Sequence, residues 1–315
     1  PRSRRLLTLA WRMAANLRWA DAVFSAGLLV ETALANVVFR RAMLARVPGD
    51  IVWERATHKG WISVGFEEFQ LQRYGRSIEL RRALRNWALC QAQTVVVPSR
   101  YTQNLVVRRW GVPESQVRVV LNSVSPPDHR PALEVPIHTR WRLTTVCRLI
   151  PLKQVDRIIA ALPDLPDTGL LVIGDGPERP RLEVLTDHLN LRERVCFVGN
   201  VPQDQVRPLL KACDVFVLYS TTENMPNAVL DALAAGTPVV ATAVGGTVEI
   251  IRHAQNGWLV SPHDETELAN AIRTILNDPA LAARLVQAGY ASLNGFSRER
   301  MLREIVQLIE KARLC

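Results

Sequence analysis

Two carboxylates with seven residues between them are the most distinctive chemical feature of the sequence. Glu223 lies on a loop that follows the strand-like run of residues 214–220. Asp231 lies on an apolar helix that is predicted to begin at Pro226 and to end at Gly236. Because a buried carboxylate is costly unless something pairs with it, Asp231 needs a partner. Both acids are expected near the carboxyl end of a strand, where open α/β sheets bind ligands.

A pair of glycines one strand further along the chain could hold an anion. Gly245 and Gly246 follow the strand-like residues 237–242 and precede a short helix that is predicted to start at Thr247. Glycines allow backbone N–H groups at a helix N-terminus to approach an anion closely. The sequence therefore predicts an anion site close to the two carboxylates.

Two cations lie on the loop between an earlier strand and helix. Arg148 and Lys153 follow the strand predicted over residues 142–147. Such residues beside a loop are ordinarily solvated surface charges. With the amides near Gly245, they could instead supply positive potential to a bound anion. The chain has no D-x-D motif and no His and Asp cluster with metal spacing, so we expect no metal.

The order of strand and helix signals predicts an α/β protein with two domains. Strands alternate with helices through residues 141–296, which is typical of a doubly wound parallel sheet. Four prolines between residues 126 and 136 indicate a stiff linker. The elements predicted in the first part are a strand over 21–25, a helix to about residue 45, a strand over 48–55, a helix over 80–91, a strand over 94–99 and a helix capped by Ser99.

As a set, these motifs resemble the large glycogen-synthase-like family of retaining GT-B glycosyltransferases, glycosyltransferase family 4. Glu223 and Asp231 match its E-x7-E region, with Asp where Glu is usual. Arg148 and Lys153 match R-x4-K, and residues 174–177 match a G-D-G-P turn, which alone would be a weak signal. The resemblance implies a GT-B fold, in which two Rossmann-like doubly wound domains face a cleft. It further implies an acceptor-side domain over residues 1–125, a linker over 126–140, a nucleotide-sugar domain over 141–296 and a helix over 297–315 that crosses back.

The chain starts at Pro1 without the strand and Gly-rich loop that open such a domain, so we expect the N-terminal domain to be incomplete. The resemblance also implies roles for individual residues. Arg148 and Lys153 would bind the donor diphosphate, Glu223 would hold donor-sugar hydroxyls, and these three are the catalytic candidates. Asp231 would hold the ribose, and the remaining donor-binding candidates are Gly174, Gly176, Val198, Asn224, Met225, Pro226, Gly245 and Gly246. The acceptor-side candidates are Asp50, Glu54, Arg55 and His58, although for His58 an ordinary surface histidine is the favoured interpretation.

The implied function is transfer of a sugar from a nucleotide-sugar donor to an acceptor hydroxyl with retention of anomeric configuration. The resemblance points to polysaccharide, lipopolysaccharide or glycolipid biosynthesis, with a carbohydrate or lipid-linked acceptor. Neither a cofactor nor a metal is expected. A non-catalytic GT-B module that binds a nucleotide or a partner remains the alternative. A dinucleotide-binding oxidoreductase is disfavoured because residues 172–179 lack the third glycine of its fingerprint.

Charge is distributed unevenly along the chain. Residues 1–120 hold 19 Lys and Arg against 8 Asp and Glu, whereas residues 121–315 hold 20 against 22. The basic part could face an anionic lipid or a lipid-linked acceptor, or it could serve solubility alone; no binding motif supports nucleic acid. The opening segment carries Leu6, Leu9 and Met13 at helical spacing among arginines, including Arg4 and Arg5. It could rest on a membrane or pack on the rest of its domain.

No apolar run approaches the roughly 18 residues that would span a bilayer. We therefore expect a cytoplasmic protein whose membrane contact, if any, is peripheral and at the inner face. The five cysteines, which form no C-x-x-C pair, are expected to be reduced thiols.

Overall fold

A computed structural model describes residues 2–127 and 130–313, with the side chains of residues 2–7 and of residue 10 outside that description. The chain divides into two compact units. The first takes in the chain up to Leu121 and again from Glu299, and the second spans Asn122–Arg298. Arg4, Arg5 and Leu6 of the predicted amphipathic segment, and the thiol of Cys315, lie outside the described residues and side chains.

Ten strands of the described chain form two sheets, and every pair of neighbouring strands is parallel. The first unit holds four strands in the order β1-β2-β3-β4, and the second holds six in the order β10-β9-β8-β5-β6-β7. The strands are β1 Ala22–Ser25, β2 Ala42–Arg46, β3 Thr94–Val97, β4 Val117–Val119, β5 Trp141–Val146, β6 Thr168–Ile173, β7 Val195–Gly199, β8 Val215–Leu218, β9 Val239–Thr242 and β10 Trp258–Val260.

Helices connect the strands in both units, as parallel sheets require. Within the described residues they are α1 Arg2–Leu17, α2 Leu29–Phe39, α3 Ile51–His58, α4 Phe66–Leu71, α5 Arg76–Cys90, α6 Arg100–Arg108, α7 Val155–Ala160, α8 Arg179–His188, α9 Gln203–Lys211, α10 Asn227–Ala235, α11 Thr247–Ile250, α12 Glu265–Asn277, α13 Pro279–Ser292 and α14 Arg298–Arg313. None of these described helices is both long enough and apolar enough to cross a membrane.

The first unit differs from the sequence prediction at one strand and one helix. The residues of β2 were predicted to continue a helix, yet they form a strand whose middle three residues are buried. Helix α2 ends before it because Arg40 adopts a left-handed backbone at φ 48°, while the Asn36 side chain bonds the backbone N–H and C=O of Arg41. The alanine, methionine and leucine of β2 favour a helix locally, but burial between parallel neighbours overrides that preference.

The strand predicted over residues 48–55 is wrong, since this part of the chain forms α3. Asp50 caps the helix, because its side chain accepts hydrogen bonds from the backbone N–H groups of Val52 and Trp53 at 2.9 and 3.3 Å. Val52, Trp53 and Ala56 are buried at helical spacing. In the sequence, Asp50 looks like a turn residue. Its ability to cap a helix is the signal that indicates α3.

The six-stranded sheet of the second unit is buried through its middle. Every residue of β6, β8 and β9 is buried, as expected for continuous apolar strands covered on both faces. The chain first runs from β5 through β6 to β7, and it then returns to place β8 on the other side of β5. The strand order therefore reverses between β5 and β8. A crevice at such a reversal is where doubly wound sheets bind ligands.

The stretch predicted as a linker packs on the second unit. Val135 and Ile137 are buried against Leu171 and Ile173 of β6. Arg130 donates a hydrogen bond to the carbonyl of Asp204 in α9. That carbonyl lacks its usual helical donor because Pro208, four residues later, has no backbone N–H. The described part of this stretch is thus fixed to one unit by apolar burial and by a hydrogen bond.

The last helix belongs with the first unit. Arg313 of α14 forms an ion pair with Asp21 at 3.1 Å, and Met301 of α14 contacts the Arg46 guanidinium of β2 at 3.9 Å. Arg300 donates to the carbonyl of Leu121 at 3.1 Å. The first unit is therefore built from two separate lengths of chain.

Candidate active site

The predicted catalytic residues lie on loops at the strand-order reversal of the second unit. Lys153 lies in a 3₁₀ turn, Pro151–Lys153, on the loop after β5, and Glu223 lies on the loop after β8. Because β5 and β8 are parallel neighbours, their loops leave the sheet at the same edge. Two residues that are 70 positions apart in sequence are brought together in this way.

Glu223 is a buried carboxylate with two hydrogen-bond donors. It is 8% exposed, and its Oε1 accepts from Lys153 Nζ at 2.5 Å and from Ser220 Oγ at 2.7 Å. A buried carboxylate is stable when it is paired and hydrogen-bonded in this manner. Both bonds end on Oε1, so within the described part of the chain Oε2 has no donor. Oε2 can therefore accept a hydrogen bond from a ligand hydroxyl.

Ser220 was not predicted as a site residue, although it precedes Glu223 by three positions. The backbone N–H of Ser220 donates to Thr242 Oγ1 at 3.1 Å, and that hydroxyl donates to the Ser220 carbonyl at 2.7 Å. Ser220 and Thr242 are both buried at the ends of β8 and β9. Thr242 thus fixes Ser220, and Ser220 in turn orients the Glu223 carboxylate.

The loop of residues 223–226, called here the donor loop, is in close contact with the glycine turn of residues 245–246. Gly246 donates its backbone N–H to the Glu223 carbonyl at 2.7 Å. A Cβ added to Gly245 would lie 2.0 Å from that carbonyl oxygen, and one added to Gly246 would lie 1.9 Å from the Asn224 oxygen. Gly245 also has a positive φ of 51°. Only glycines permit this approach, which brings the glycine turn directly beside Glu223. Binding of an anion by this turn stays a prediction.

Gly174 and Gly176 have a structural role of the same kind. A Cβ on Gly174 would lie 1.9 Å from the Cys147 carbonyl, and one on Gly176 would lie 2.2 Å from the Leu149 carbonyl. Leu149 N–H donates to the Asp175 carbonyl at 3.0 Å. These contacts fix the course of the loop that carries Arg148 and Lys153. Donor binding by the two glycines themselves stays a prediction.

Arg148 is exposed at the start of this loop. It directly follows Cys147, whose thiol is close enough to Lys153 and Glu223 for both charges to influence it. Burial raises the pKa of the Cys147 thiol to about 11, and the Lys153 ammonium partly opposes that rise. Cys147 is consequently a neutral thiol at physiological pH.

Asp231 is half-buried and has the partner that the sequence argument requires. Its Oδ1 accepts from Arg207 Nε of α9 at 2.9 Å, and its Oδ2 lies 3.5 Å from Gln203 Nε2. Arg207 is 9% exposed and also donates to the Pro126 carbonyl at 2.9 Å. Asp231 therefore joins α10 to α9, on the side of α10 that faces α9, and it makes no described contact with Glu223. Nothing in the sequence near Arg207 identifies it as this partner.

The remaining donor candidates lie on the same unit. Val198 is half-buried in β7, beside the Phe197 carbonyl that Arg179 contacts at 3.3 Å. Asn224 is half-buried, and Met225 and Pro226 are buried. Contacts of these residues with a donor stay predictions.

The acceptor-side prediction for Asp50 needs correction. Asp50 is 1% exposed, and besides capping α3 it accepts from Gln70 Nε2 at 2.9 Å and pairs with Arg85 at 2.5 Å. Arg85 in turn lies over the Trp110 ring at 3.7 Å. Burial lowers the Arg85 pKa, and the Asp50 charge opposes that change. With these partners Asp50 stabilises the first unit and is inaccessible to an acceptor.

The other acceptor-side candidates are accessible. Glu54, Arg55 and His58 are exposed on α3, away from its buried residues. They lie in the first unit, whereas Glu223 and Lys153 lie in the second. Across the described residues, no cluster of three or more His, Cys, Asp or Glu side chains could hold a metal ion.

Comparison with known sequences identifies the family. The profile described as "Glycosyl transferases group 1" matches residues 134–292, just over half of the chain. The chain belongs to the group 1 glycosyl transferases. A second profile, "Glycosyltransferase Family 4", matches residues 53–126 of this group 1 glycosyl transferase. The resemblance inferred from the sequence motifs is confirmed.

Individual relatives of this group 1 glycosyl transferase are named for several glycans. It is 39% identical over 163 residues to the lipopolysaccharide core biosynthesis glycosyltransferase LpsE of Rhizobium meliloti, covering 51% of this chain and 47% of LpsE. It is 28% identical over 282 residues to the GDP-mannose-dependent alpha-(1-6)-phosphatidylinositol monomannoside mannosyltransferase of Mycolicibacterium smegmatis, covering 84% and 69%. The chain spans about half the length of the first relatives that it matches.

Solved structures share the fold of this group 1 glycosyl transferase. The sucrose-phosphate synthase of Thermosynechococcus elongatus has a TM-score of 0.76 at 26% identity, covering 99% of this chain and 79% of that one. The Anabaena protein HepE in complex with UDP has a TM-score of 0.78 at 20% identity, covering 96% and 82%. Both neighbours are GT-B glycosyltransferases. With the two parallel sheets, they confirm the predicted GT-B class.

Proposed function

We propose that this protein transfers a sugar from a nucleotide-sugar donor to an acceptor hydroxyl, with retention of anomeric configuration. The observation that carries the proposal is the buried Glu223 carboxylate, bonded by Lys153 and Ser220 at the strand-order reversal and in contact with the glycine turn. Glu223 Oε2 would accept a donor-sugar hydroxyl. Arg148, Lys153 and the backbone N–H of Gly245 would face the diphosphate.

The chemistry follows from where negative charge develops. Cleavage of the anomeric C–O bond adds negative charge to the leaving nucleoside diphosphate, and fixed cations and amide dipoles stabilise that charge. In a front-face reaction the acceptor hydroxyl attacks from the side on which the phosphate leaves, and the leaving phosphate takes the hydroxyl proton. Glu223 then acts by positioning and electrostatics, so the two-carboxylate logic of glycosidases is not needed.

A metal has no assigned part in this proposal. Side chains and amides supply the positive potential that a divalent ion supplies in other transferases. We expect a chelator to leave transfer unchanged, and loss of activity that magnesium restores would contradict this expectation.

Relatives support the substrate classes. LpsE is named for the lipopolysaccharide core, the mycobacterial relative for GDP-mannose and a phosphatidylinositol mannoside, and the HepE complex holds UDP. We propose a UDP- or GDP-sugar donor and a carbohydrate or lipid-linked acceptor in the assembly of a cell-envelope polysaccharide, lipopolysaccharide or glycolipid.

We also propose a cytoplasmic protein with peripheral contact at an anionic membrane surface. Residues 1–120 are strongly basic. On the described part of α1 and just after it, Trp11 and Trp19 are 73% and 79% exposed beside the exposed Arg12 and Arg18. Exposed tryptophan next to arginine is typical of membrane interfaces.

The test of the proposed function uses UDP, GDP, UDP-glucose and GDP-mannose. Ligands that bind only the folded state raise its melting temperature, so thermal shifts identify the nucleotide. Release of the nucleoside diphosphate from the matching donor, with Glu223→Gln as the inactive control, measures turnover. A non-catalytic module would bind the nucleotide without turnover by the wild type, and absence of binding to all four ligands would contradict the proposal.

A further inference from the structure

The chain passes between the two units twice, and the two passages lie side by side in the second unit. It enters that unit at Asn122 and leaves after Arg298. Val124 donates its backbone N–H to the Phe296 carbonyl at 2.9 Å and forms a parallel bridge with Ser297. The crossing segment, defined here as residues 122–127, is thereby fixed to the end of the second unit.

The first residue of the crossing segment contacts the donor loop. Asn122 Nδ2 donates to the Met225 carbonyl at 3.3 Å and to Asn227 Oδ1 at 2.9 Å. The backbone N–H of Asn122 points to Met225 Sδ at 3.2 Å. A single side chain therefore contacts the donor loop and the first residue of α10.

These bonds meet a need of the local backbone. Met225 is buried, and its carbonyl comes before α10, where the helical hydrogen bonds have not yet begun. A buried carbonyl in such a place requires a donor from elsewhere. The backbone N–H of Val229 in the first turn of α10 donates to the Pro226 carbonyl at 3.2 Å rather than to Met225. Asn122 supplies the missing donor.

The donor loop consequently has support on two sides. The glycine turn contacts the carbonyls of Glu223 and Asn224, and Asn122 contacts the carbonyl of Met225. The other end of the crossing segment is bound as well, because Arg207 donates to the Pro126 carbonyl and pairs with Asp231. The crossing segment is therefore linked to Asp231 through Arg207, and through Met225 to the loop that carries Glu223.

We propose that Asn122 is a positioning residue for the donor loop. By fixing the Met225 carbonyl, it sets the course of the backbone that carries Glu223, and so sets how the loop meets the sugar of the donor. The bonds described for it go to Met225 and Asn227. This inference rests on the proposed function and adds a specific role for the crossing segment.

Asn122→Ala and Asn122→Asp test the proposal. Both remove the donor to Met225, and the aspartate keeps the shape of the side chain. We expect kcat/KM for release of UDP from UDP-glucose, or of GDP from GDP-mannose, to fall by about tenfold, the scale of one lost hydrogen bond in the transition state. The Kd of the matching diphosphate should change by less than about twofold, since its partners remain. The matched control is Asn104→Ala, an exposed asparagine on α6.

A double-mutant cycle with Asn227→Ala separates positioning from general damage. If Asn122 acts partly through Asn227, the two losses are less than additive, because the second substitution removes a bond that is already broken. If Asn122→Ala and Asn122→Asp have the same kcat/KM as Asn104→Ala, the proposal is overturned. Diphosphate affinity that falls in parallel with the melting temperature also overturns it, in favour of a structural role. Wild-type protein that binds neither diphosphate contradicts the proposed function itself, and the inference with it.

Discussion

At the scale of single residues, the Lys153–Glu223 pair joins stability to activity. Lys153→Met removes a charge partner from a carboxylate that is 8% exposed. We expect stability to fall by about 1–3 kcal/mol, the cost of an unsatisfied buried polar group, and transition-state stabilisation to fall by about 2–4 kcal/mol. Denaturant unfolding and donor turnover measure the two effects.

The double variant Lys153→Met with Glu223→Gln is the control for that prediction. A neutral amide beside a methionine no longer buries an unpaired charge, so much of the lost stability returns while activity does not. Turnover of Lys153→Met at the wild-type rate would remove the assignment to the diphosphate.

Glu223 and Asp231 are expected to have different roles in donor binding. Glu223→Gln should depress turnover more than diphosphate affinity, because its proposed partner is the sugar. Asp231→Asn should weaken binding of both donor and free nucleotide, and it should also lower stability because it weakens the bond to Arg207. Calorimetric titration with UDP or GDP distinguishes them, and equal losses of affinity in the two variants would refute the division.

Sequence reasoning identifies the residues of the site better than their partners. Glu223, Lys153 and the two glycines were predicted as one site, and the structure brings them together. Arg207 and Asn122 were missed as partners because they are contacts between elements far apart in sequence, with no local signal. Asp50 was misjudged because its polar side chain was expected to meet an acceptor, whereas it caps a helix and forms a buried ion pair.

At the scale of elements, the glycine turn packs directly against the backbone of the donor loop. Gly246→Ala places a Cβ 1.9 Å from the Asn224 oxygen, so the donor loop must move. We expect a stability loss of about 1–3 kcal/mol, as for overpacking elsewhere, and a fall in donor turnover. Gly295→Ala is the matched control, because its Cβ would meet nothing within 4 Å. Equal stability and equal donor turnover of the two variants would show that the donor loop tolerates this displacement.

Element prediction succeeded where apolar runs are continuous and failed where they are short. The strands and helices of the second unit follow the predicted alternation, and α14 begins within one residue of the predicted start at residue 297. The error at β2 arose because its five residues of mixed preference carry little local information, so that the neighbouring strands decide the structure. The error at α3 arose because the Asp50 cap was not recognised.

At the scale of the whole molecule, the basic first part predicts association with anionic vesicles. Each basic residue near an anionic leaflet contributes about 1 kcal/mol, so co-sedimentation with anionic liposomes should exceed that with neutral ones. The difference should fade as salt shortens the screening length from about 10 Å at 0.1 M to about 3 Å at 1 M.

Charge variants locate that surface. Arg12→Gln with Arg18→Gln should weaken vesicle binding more than Arg108→Gln with Arg109→Gln, a control pair at the exposed end of α6. Equal partition onto neutral and anionic vesicles, or no binding at low salt, would leave the charge as a feature of solubility or acceptor attraction.

The contribution of α14 to the first unit also determines when each unit can form. A ribosome extends the chain from its amino end at about 5–20 residues per second, and domains fold as their residues emerge. The second unit has all its residues once Arg298 has emerged, whereas the first must wait for the helix that follows. The unit that is synthesised first is therefore the last to be completed.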